Sequence, residues 1–463
     1  MKTPTTLLML LCCCLLPLTV RAAEDDVPDP DTLTTLDLAT ARRLALAGNP
    51  SLGAARERIS QARARISRAE AAWWPSLDFS AGASLMRLSE NDYEEALALS
   101  PLPGAGVDRT RESYKAGLTA SWLLFDGFRR QAAAAIARLD HKAGLSSLEN
   151  SRRLLIQAVT AAYLNAQLGA AGIDIATADT DFYQKQLRDA EARQQAGSGR
   201  LSDVLSMRVR LNAARATLLD ARREQEAALY SLAALLGLEE ARLPQTVTLE
   251  PMDTDPSPAT NYDIDALIAA ARDNRPDIRE AALRLKQIDA SLKQARASFY
   301  PSLVLGSGLN AGPDDDPGLT ADDLGAAVSL NLSWNLFRGR GDEARRSELL
   351  ARKREATWLL RDLRTNVAAQ VRRAAARLAA AAEQVELQQS NVELVTENRN
   401  LAEKEYLAGQ TTLTRLNEAQ RDLITTRSRL AQALAAYRLA KQELETAAGT
   451  PLPRTTETMR GTK

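Results

Sequence analysis

The chain has 463 residues, with 59 lysines and arginines balanced by 59 aspartates and glutamates, three cysteines and one histidine. Zero formal charge excludes the basic field that draws a protein to nucleic acid. A lone histidine leaves no pair for a metal site, and cysteines confined to positions 12–14 leave no disulfide framework beyond them.

The first residues read as a secretory signal. Lys2 supplies the positive end, Leu7 to Val20 the apolar stretch, and Val20-Arg21-Ala22 a small-residue cleavage site, so residues 1–22 are expected to be removed. The apolar stretch is too short for a spanning helix. Cys12, Cys13 and Cys14 fall inside it and read as apolar filler. A lipid-attachment cysteine prefers a small residue before it, and Leu11, Cys12 and Cys13 do not provide one. The mature chain then enters an oxidising compartment without a cysteine. Beyond the signal there is no uninterrupted apolar run of about 18 residues, so a membrane crossing falls to strands.

Residues 24–36 are acidic and proline-bearing and read as a mobile lead-in. Thr35 to Ala47 predicts a short amphipathic helix ended by Gly48. Asn49 is placed to cap the next helix, with Pro50 in its first turn, and that helix runs to about Ala72. Pro75 then switches the period to two. Leu77, Phe79, Ala81, Ala83 and Leu85 alternate with Asp78, Ser80, Gly82 and Ser84, predicting a strand at about 77–86 with one greasy and one polar face. A second strand, about 114–125, carries Ala116, Leu118, Ala120, Trp122 and Leu124 against Lys115, Gly117, Thr119 and Ser121. A polar loop lies between them. From Arg129 to about Gln195 there is no proline, and the helix predicted there spans roughly 100 Å. A break at Gly197-Ser198-Gly199 precedes a returning helix from Ser202 to Leu236.

The same series then repeats. Asn49-Pro50-Ser51-Leu52 is answered by Arg275-Pro276-Asp277-Ile278, and Trp73-Trp74-Pro75-Ser76-Leu77 by Phe299-Tyr300-Pro301-Ser302-Leu303. Trp122-Leu123-Leu124-Phe125 is answered by Trp334-Asn335-Leu336-Phe337, and Ala196-Gly197 by Ala408-Gly409. A duplicated unit fixes the architecture: a first repeat over 23–238, a linker over 239–262, a second repeat over 263–449 and a tail over 450–463. The second repeat predicts strands at about 302–310 and 326–337 and a helical hairpin from Glu343 with its tip at about 408–415; the first tip falls at about 196–203.

Each predicted strand has the length a tilted strand needs to cross a bilayer. Trp73, Trp74, Trp122 and Trp334 sit at the helix-side strand ends, where aromatic rings collect in membrane barrels. A soluble hairpin on a helical protein is the competing reading of these strands. Four strands cannot close a barrel, so they must be shared among chains, and three chains supply twelve. The fold class is therefore mostly α with a membrane β-barrel and a long helical coiled-coil barrel below it.

This ordered double set resembles the TolC-like outer-membrane efflux proteins over essentially the whole mature chain. The resemblance implies a homotrimer in the outer membrane, extending into the periplasm. It implies an exit duct for tripartite efflux pumps or type I secretion, with a periplasmic adaptor on the helical tips and an inner-membrane transporter supplying energy. It assigns the adaptor-docking tips to Gly197, Leu201, Gly409 and Leu413. Ser202 and Asp203 match the family's tip-closing Thr-Asp pair, and Tyr406 the tyrosine that bonds that aspartate from the other hairpin. The family's arginine partner is missing at Thr411, and Arg415, one turn on, is placed to reach Asp203 instead. The best-known member has aspartates at the positions of Arg415 and Glu418; Glu418 keeps an acidic group for an entrance ring and Arg415 does not.

No enzyme is expected. His141 stands alone, no phosphate loop and no G-x-S-x-G elbow is present, and no cofactor is implied. The alternative outside the transport class is a structural or adhesive coiled-coil envelope protein.

Overall fold

The computed structural model describes residues 34–99, 108–244, 246–252, 262–312 and 323–449. The signal segment and the tail lie outside them. The first copy runs β1 (Thr35–Leu36), α1 (Leu38–Gly48), α2 (Pro50–Ala71), β2 (Ser76–Arg87), α3 (Glu90–Ala98), β3 (Thr110–Phe125), α4 (Arg129–Gln195) and α5 (Leu201–Leu236). The second runs β4 (Thr248–Leu249), α6 (Ile264–Asn274), α7 (Pro276–Arg296), β5 (Ser302–Ala311), β6 (Leu324–Ser333), α8 (Gly341–Leu407) and α9 (Leu413–Ala448). The copies agree in detail: α4 and α8 each have 67 residues, and α5 and α9 each have 36.

Corresponding N-cap residues tie the helices in the two copies, and only the first caps through its side chain. Asn49 Oδ1 accepts from the N–H of Ser51 at 3.0 Å and of Leu52 at 3.4 Å, and Asn49 Nδ2 donates to Leu235 O at 2.8 Å. This both caps α2 and ties it to the end of α5. Arg275 takes that place in the second copy, donating from Nη1 to Ala447 O at 3.2 Å at the end of α9. It also bonds Asp277 at 2.6 Å. Burial pushes the Asp277 carboxyl up, but Arg275 and Arg153 outweigh it and hold it below the usual carboxylate range.

Four local readings change. Thr35–Leu36 is not lead-in or helix but a strand paired in parallel with Thr248–Leu249 inside the expected linker. Leu36 is fully buried there. A two-residue bridge carries no periodicity that a sequence can display. Helix α1 accordingly starts later, at Leu38, where Asp37 accepts from the Thr40 N–H at 2.9 Å. The polar loop after β2 contains α3, capped by Ser89 Oγ on the Asp92 N–H. Strand β6 ends at Ser333 rather than near 337, because Ser333 already pairs with Ser302, the first residue of β5. Trp334 to Phe337 therefore have nothing on β5 to join.

The four long strands form one sheet in the order β2-β3-β5-β6, all antiparallel. Its register aligns the two faces across the sheet. Phe79 stands opposite Leu118, Leu118 opposite Leu309, and Leu309 opposite Ala326. Trp122, Leu305 and Leu330 form a second such row. The other face reads Ser80, Gly117, Asn310 and Gly325 in one row and Ser121, Gly306 and Ser329 in the next. Directly opposed residues share a face, so one side is mainly apolar, interrupted by Ser307 and Glu112, and the other mainly polar and small. β2 and β6 form the two outer edges of the sheet, and every residue of both is exposed.

Below the sheet, α4 packs against α1, α2, α5, α7 and α9, and α8 against α6, α7 and α9. Three cores result. One holds Leu36, Leu44, Leu52, Val159, Tyr163 and Leu232; a second holds Ile268, Ile278, Val367, Val371, Val385 and Leu444; the third lies at the tips. By length and composition α4 has a stretch apolar enough to cross a membrane. In the fold its Leu155, Ile156, Val159 and Tyr163 fill the first core instead.

Candidate functional site

Two regions gather the chemistry: the tips of the helical hairpins and the collar where strands become helices. Both tips end in the same turn. Gly197 and Gly409 take φ of +74° and +76°. The Ser198 N–H reaches back to Arg193 O at 3.0 Å, and the Gln410 N–H to Glu405 O at 2.8 Å. These bonds satisfy carbonyls that a helix end leaves free. Leu201 is exposed, while Leu413 packs against the tip core of Phe182, Met207, Leu211 and Leu416.

The predicted gate residues are all at this end but are not joined to one another within one chain. Ser202 is exposed and Asp203 half-buried in the first turn of α5, where its charge suits the helix dipole. Arg415 is exposed; its N–H is capped by Thr412 Oγ1 at 3.4 Å. Glu418 is half-buried. Among the described residues no ion pair involves Asp203, Arg415 or Glu418, and no hydrogen bond links Tyr406 to Asp203. The half-buried Tyr406 packs on the tip core, with the Arg193 guanidinium 5.0 Å above its ring.

A polar chain that the sequence reading missed ties the two hairpins together just above the tips. Arg399 on α8 donates to Gln420 on α9 at 3.2 Å, and Gln420 Nε2 donates to Asp179 on α4 at 2.8 Å. Arg399 also lies 4.9 Å over the Phe182 ring and donates to Glu403 at 2.9 Å, which pairs with Lys185 at 3.3 Å. Burial pushes the Asp179 carboxyl up, offset in part by the Gln420 bond. These residues lie on three helices, so only the Phe182-Tyr183 pair, standing out in an alanine-rich helix, hinted at a packed spot.

At the collar, Trp122 Nε1 donates to Trp73 O at 3.0 Å, and Trp334 Nε1 donates to Phe299 O at 3.3 Å, the matching carbonyl of the second copy. Trp74 is 78% exposed and Trp334 56%, so both rings keep an open face. Arg130, also missed, is buried beneath them. It donates to the carbonyls of Leu124 at 2.9 Å and Ala72 at 3.3 Å, pairs with Asp126 at 3.4 Å, and lies 4.4 Å over the Trp73 ring. Asp126 in turn caps α4 through the N–H groups of Arg129 and Arg130. Among the described residues no cluster of His, Cys, Asp or Glu is arranged to hold a metal ion.

The fold matches that of solved outer-membrane channels. The Campylobacter jejuni CmeC outer membrane channel superposes with a TM-score of 0.74, covering 89% of this chain and 85% of that one at 18% identity, a likeness of fold alone. In sequence, the chain is 30% identical to protein CyaE of Bordetella pertussis over 357 residues, 76% of this chain and 71% of the relative. It is 29% identical to the pyoverdine export outer membrane protein OpmQ of Pseudomonas aeruginosa over 384 residues, 82% of this chain and 78% of the relative. The model of the outer membrane efflux protein family matches residues 41–238 and again 267–450, one match to each copy of the duplicated unit. The chain belongs to the outer membrane efflux protein family and is an outer-membrane component of an export system.

Proposed function

We propose that three copies of this chain close a twelve-strand barrel in the outer membrane and continue it as a helical tube into the periplasm, forming a passive exit duct. The observation that carries this is the sheet register. It gathers the apolar residues of all four strands on one face and leaves the outer edges of β2 and β6 unpaired among the described residues. In hydrocarbon an open edge costs several kcal/mol per unpaired backbone group, and pairing β6 of one chain with β2 of the next removes it. The apolar face then meets lipid, with Trp73, Trp74, Trp122 and Trp334 at the inner interface, and the polar face lines the pore.

The tips form the gate. Ser202, Asp203, Tyr406, Arg415 and Glu418 close the tip, with Tyr406 bonding Asp203 from the other hairpin, and such a tyrosine–aspartate bond contributes about 1.5–3 kcal/mol. That is small enough for a periplasmic adaptor, seated on Gly197, Leu201, Gly409 and Leu413, to break. An inner-membrane transporter supplies the energy, and residues 1–22 direct the chain to export. OpmQ exports pyoverdine. A small exported compound is the corresponding cargo class for this duct.

The test is native mass in detergent, followed by susceptibility of a deletion strain to antibiotics, dyes, detergents and metal ions. A trimer, and sensitisation reversed by the plasmid-borne gene, support the duct. A monomer overturns the shared barrel and returns weight to a structural envelope protein.

A further inference from the structure

The polar face of the sheet is almost free of charge, and the exceptions are staggered along the strands. On β2 that face carries Ser76, Asp78, Ser80, Gly82, Ser84 and Met86. On β5 and β6 it carries only Ser, Val, Gly, Ala and Asn. Asp78 is the third residue of β2, at the helix side, and stands opposite Thr119. Lys115 stands opposite Gly82, midway along β2 and farther from the helices than Asp78. Both side chains are exposed, and neither has a hydrogen bond or ion pair among the described residues. Arg111, further out on β3, is engaged elsewhere.

Four residues along β3 separate Lys115 from the level of Asp78, about 13 Å of strand. With a strand tilt of about 40° this is about 10 Å along the pore axis, comparable with the Debye length of about 10 Å at 0.1 M salt. Between the rings lies the row Ser80, Gly117, Asn310 and Gly325, and it is tightly filled: a Cβ on Gly117 would meet Asn310 Oδ1 at 2.8 Å. The space there is kept for neutral polar groups.

We propose that Asp78 and Lys115 form the two charge-selecting rings of the barrel, an anionic ring at the periplasmic end and a cationic ring toward the outside. This rests on the shared-barrel reading above. Each ring draws its own counter-ion. When the periplasmic side is positive, cations enter past Asp78 and anions past Lys115, and the zone between fills with carriers. At the opposite polarity it empties. The pore therefore rectifies, and the rectification fades in about 1 M salt, where the Debye length falls to about 3 Å.

The experiment is current–voltage recording in planar bilayers with the full-length protein and with Asp78→Asn and Lys115→Gln, in 0.1 M and 1 M salt. The helical tips are the same in all three samples, so differences between them belong to the barrel. Expected is unequal current at opposite voltages for the parent protein at low salt, flattened in both variants. Under a salt gradient the reversal potential should shift toward anion selectivity in Asp78→Asn and toward cation selectivity in Lys115→Gln. Conducting pores with the same rectification and reversal potential in all three overturn the assignment and leave the duct standing. Absence of conductance from correctly folded protein overturns the duct itself, and the rings with it.

Discussion

The two strand-to-helix collars share one backbone and differ in everything that seals it. Gly127-Phe128 and Gly339-Arg340 adopt the same pair of left-handed conformations, with φ of 66° and 69° in the first and 59° and 64° in the second. In the first copy the buried Arg130 lies under Trp73 and pairs with the half-buried Asp126, and Phe125 and Tyr300 both pack edge-on against Phe128. In the second the charges are exchanged, Arg338 and Asp342, and they make no ion pair among the described residues. Leu336 and Phe337 are each 79% exposed. The cause is topology. β3 is an inner strand, so the start of α4 has neighbours on both sides; β6 is an edge, so the start of α8 has them on one side only among the described residues. Duplication supplied two equal collars, and only the one inside the sheet was completed by its own chain.

The sharpest way to break this comparison is at Arg130. Arg130→Ala leaves the half-buried Asp126 without its cation and the carbonyls of Ala72, Leu123 and Leu124 without a donor, and should cost about 3–5 kcal/mol. Asp342→Ala, its counterpart, should stay within about 0.5 kcal/mol. Thermal unfolding of the detergent-solubilised protein followed by circular dichroism measures both, and equal losses would refute the contrast. The helix ends give a second pair. A Cβ on Gly237, at φ +78°, would lie 2.3 Å from Gly48 O, whereas on Gly449 it would meet the flexible Arg275 Cγ at 2.9 Å. Gly237→Ala should cost about 2–3 kcal/mol and Gly449→Ala about 1 kcal/mol in the same assay.

Asp277 and Ser51 occupy matching places beside the two caps. Asp277→Asn should cost about 1.5–3 kcal/mol at neutral pH by weakening a charge-assisted bond to Arg275. Because the carboxyl is held below its unfolded value, about 3.9, its contribution is present above that pH and lost as pH falls through the lower folded value. The gap between parent and variant should therefore close on acidification; a gap that widens would show the sign to be wrong. Ser51→Ala removes only a neutral bond to Asn49 and should cost about 1 kcal/mol at every pH. The smallest energetic effect belongs to the tips. Tyr406→Phe should leave unfolding nearly unchanged while raising conductance in a planar bilayer, and Asp203→Ala should do the same. Unchanged conductance in both would count against the gate.

How much of this was legible depends on how local each signal is. Uninterrupted stretches without proline, closed by Ala-Gly turns, announce α4 and α8, and the alternation from Leu77 and from Ala326 announces strands with opposed faces. Pairing between β3 and β5 joins the copies and is invisible to periodicity, as are the two-residue bridge at Leu36 and the end of β6, which a neighbouring strand decides. At the tips the glycines declare the turns. The Arg193–Tyr406 stacking and the Arg399–Gln420–Asp179 chain each cross between helices far apart in sequence, so no spacing could reveal them.

The equal lengths of α4 and α8, and of α5 and α9, set a counting rule for anything that docks from below. Both hairpins leave the collar by the same turn and travel the same number of residues, so every tip ends at one depth. By shape alone a trimer would offer six stubs at sixty-degree steps. By chemistry it would offer two alternating kinds, since Gly197-Ser198-Gly199-Arg200 carries a cation that Gly409-Gln410-Thr411-Thr412 lacks. A docking partner that met every tip at the same depth could therefore still tell the two hairpins apart by charge.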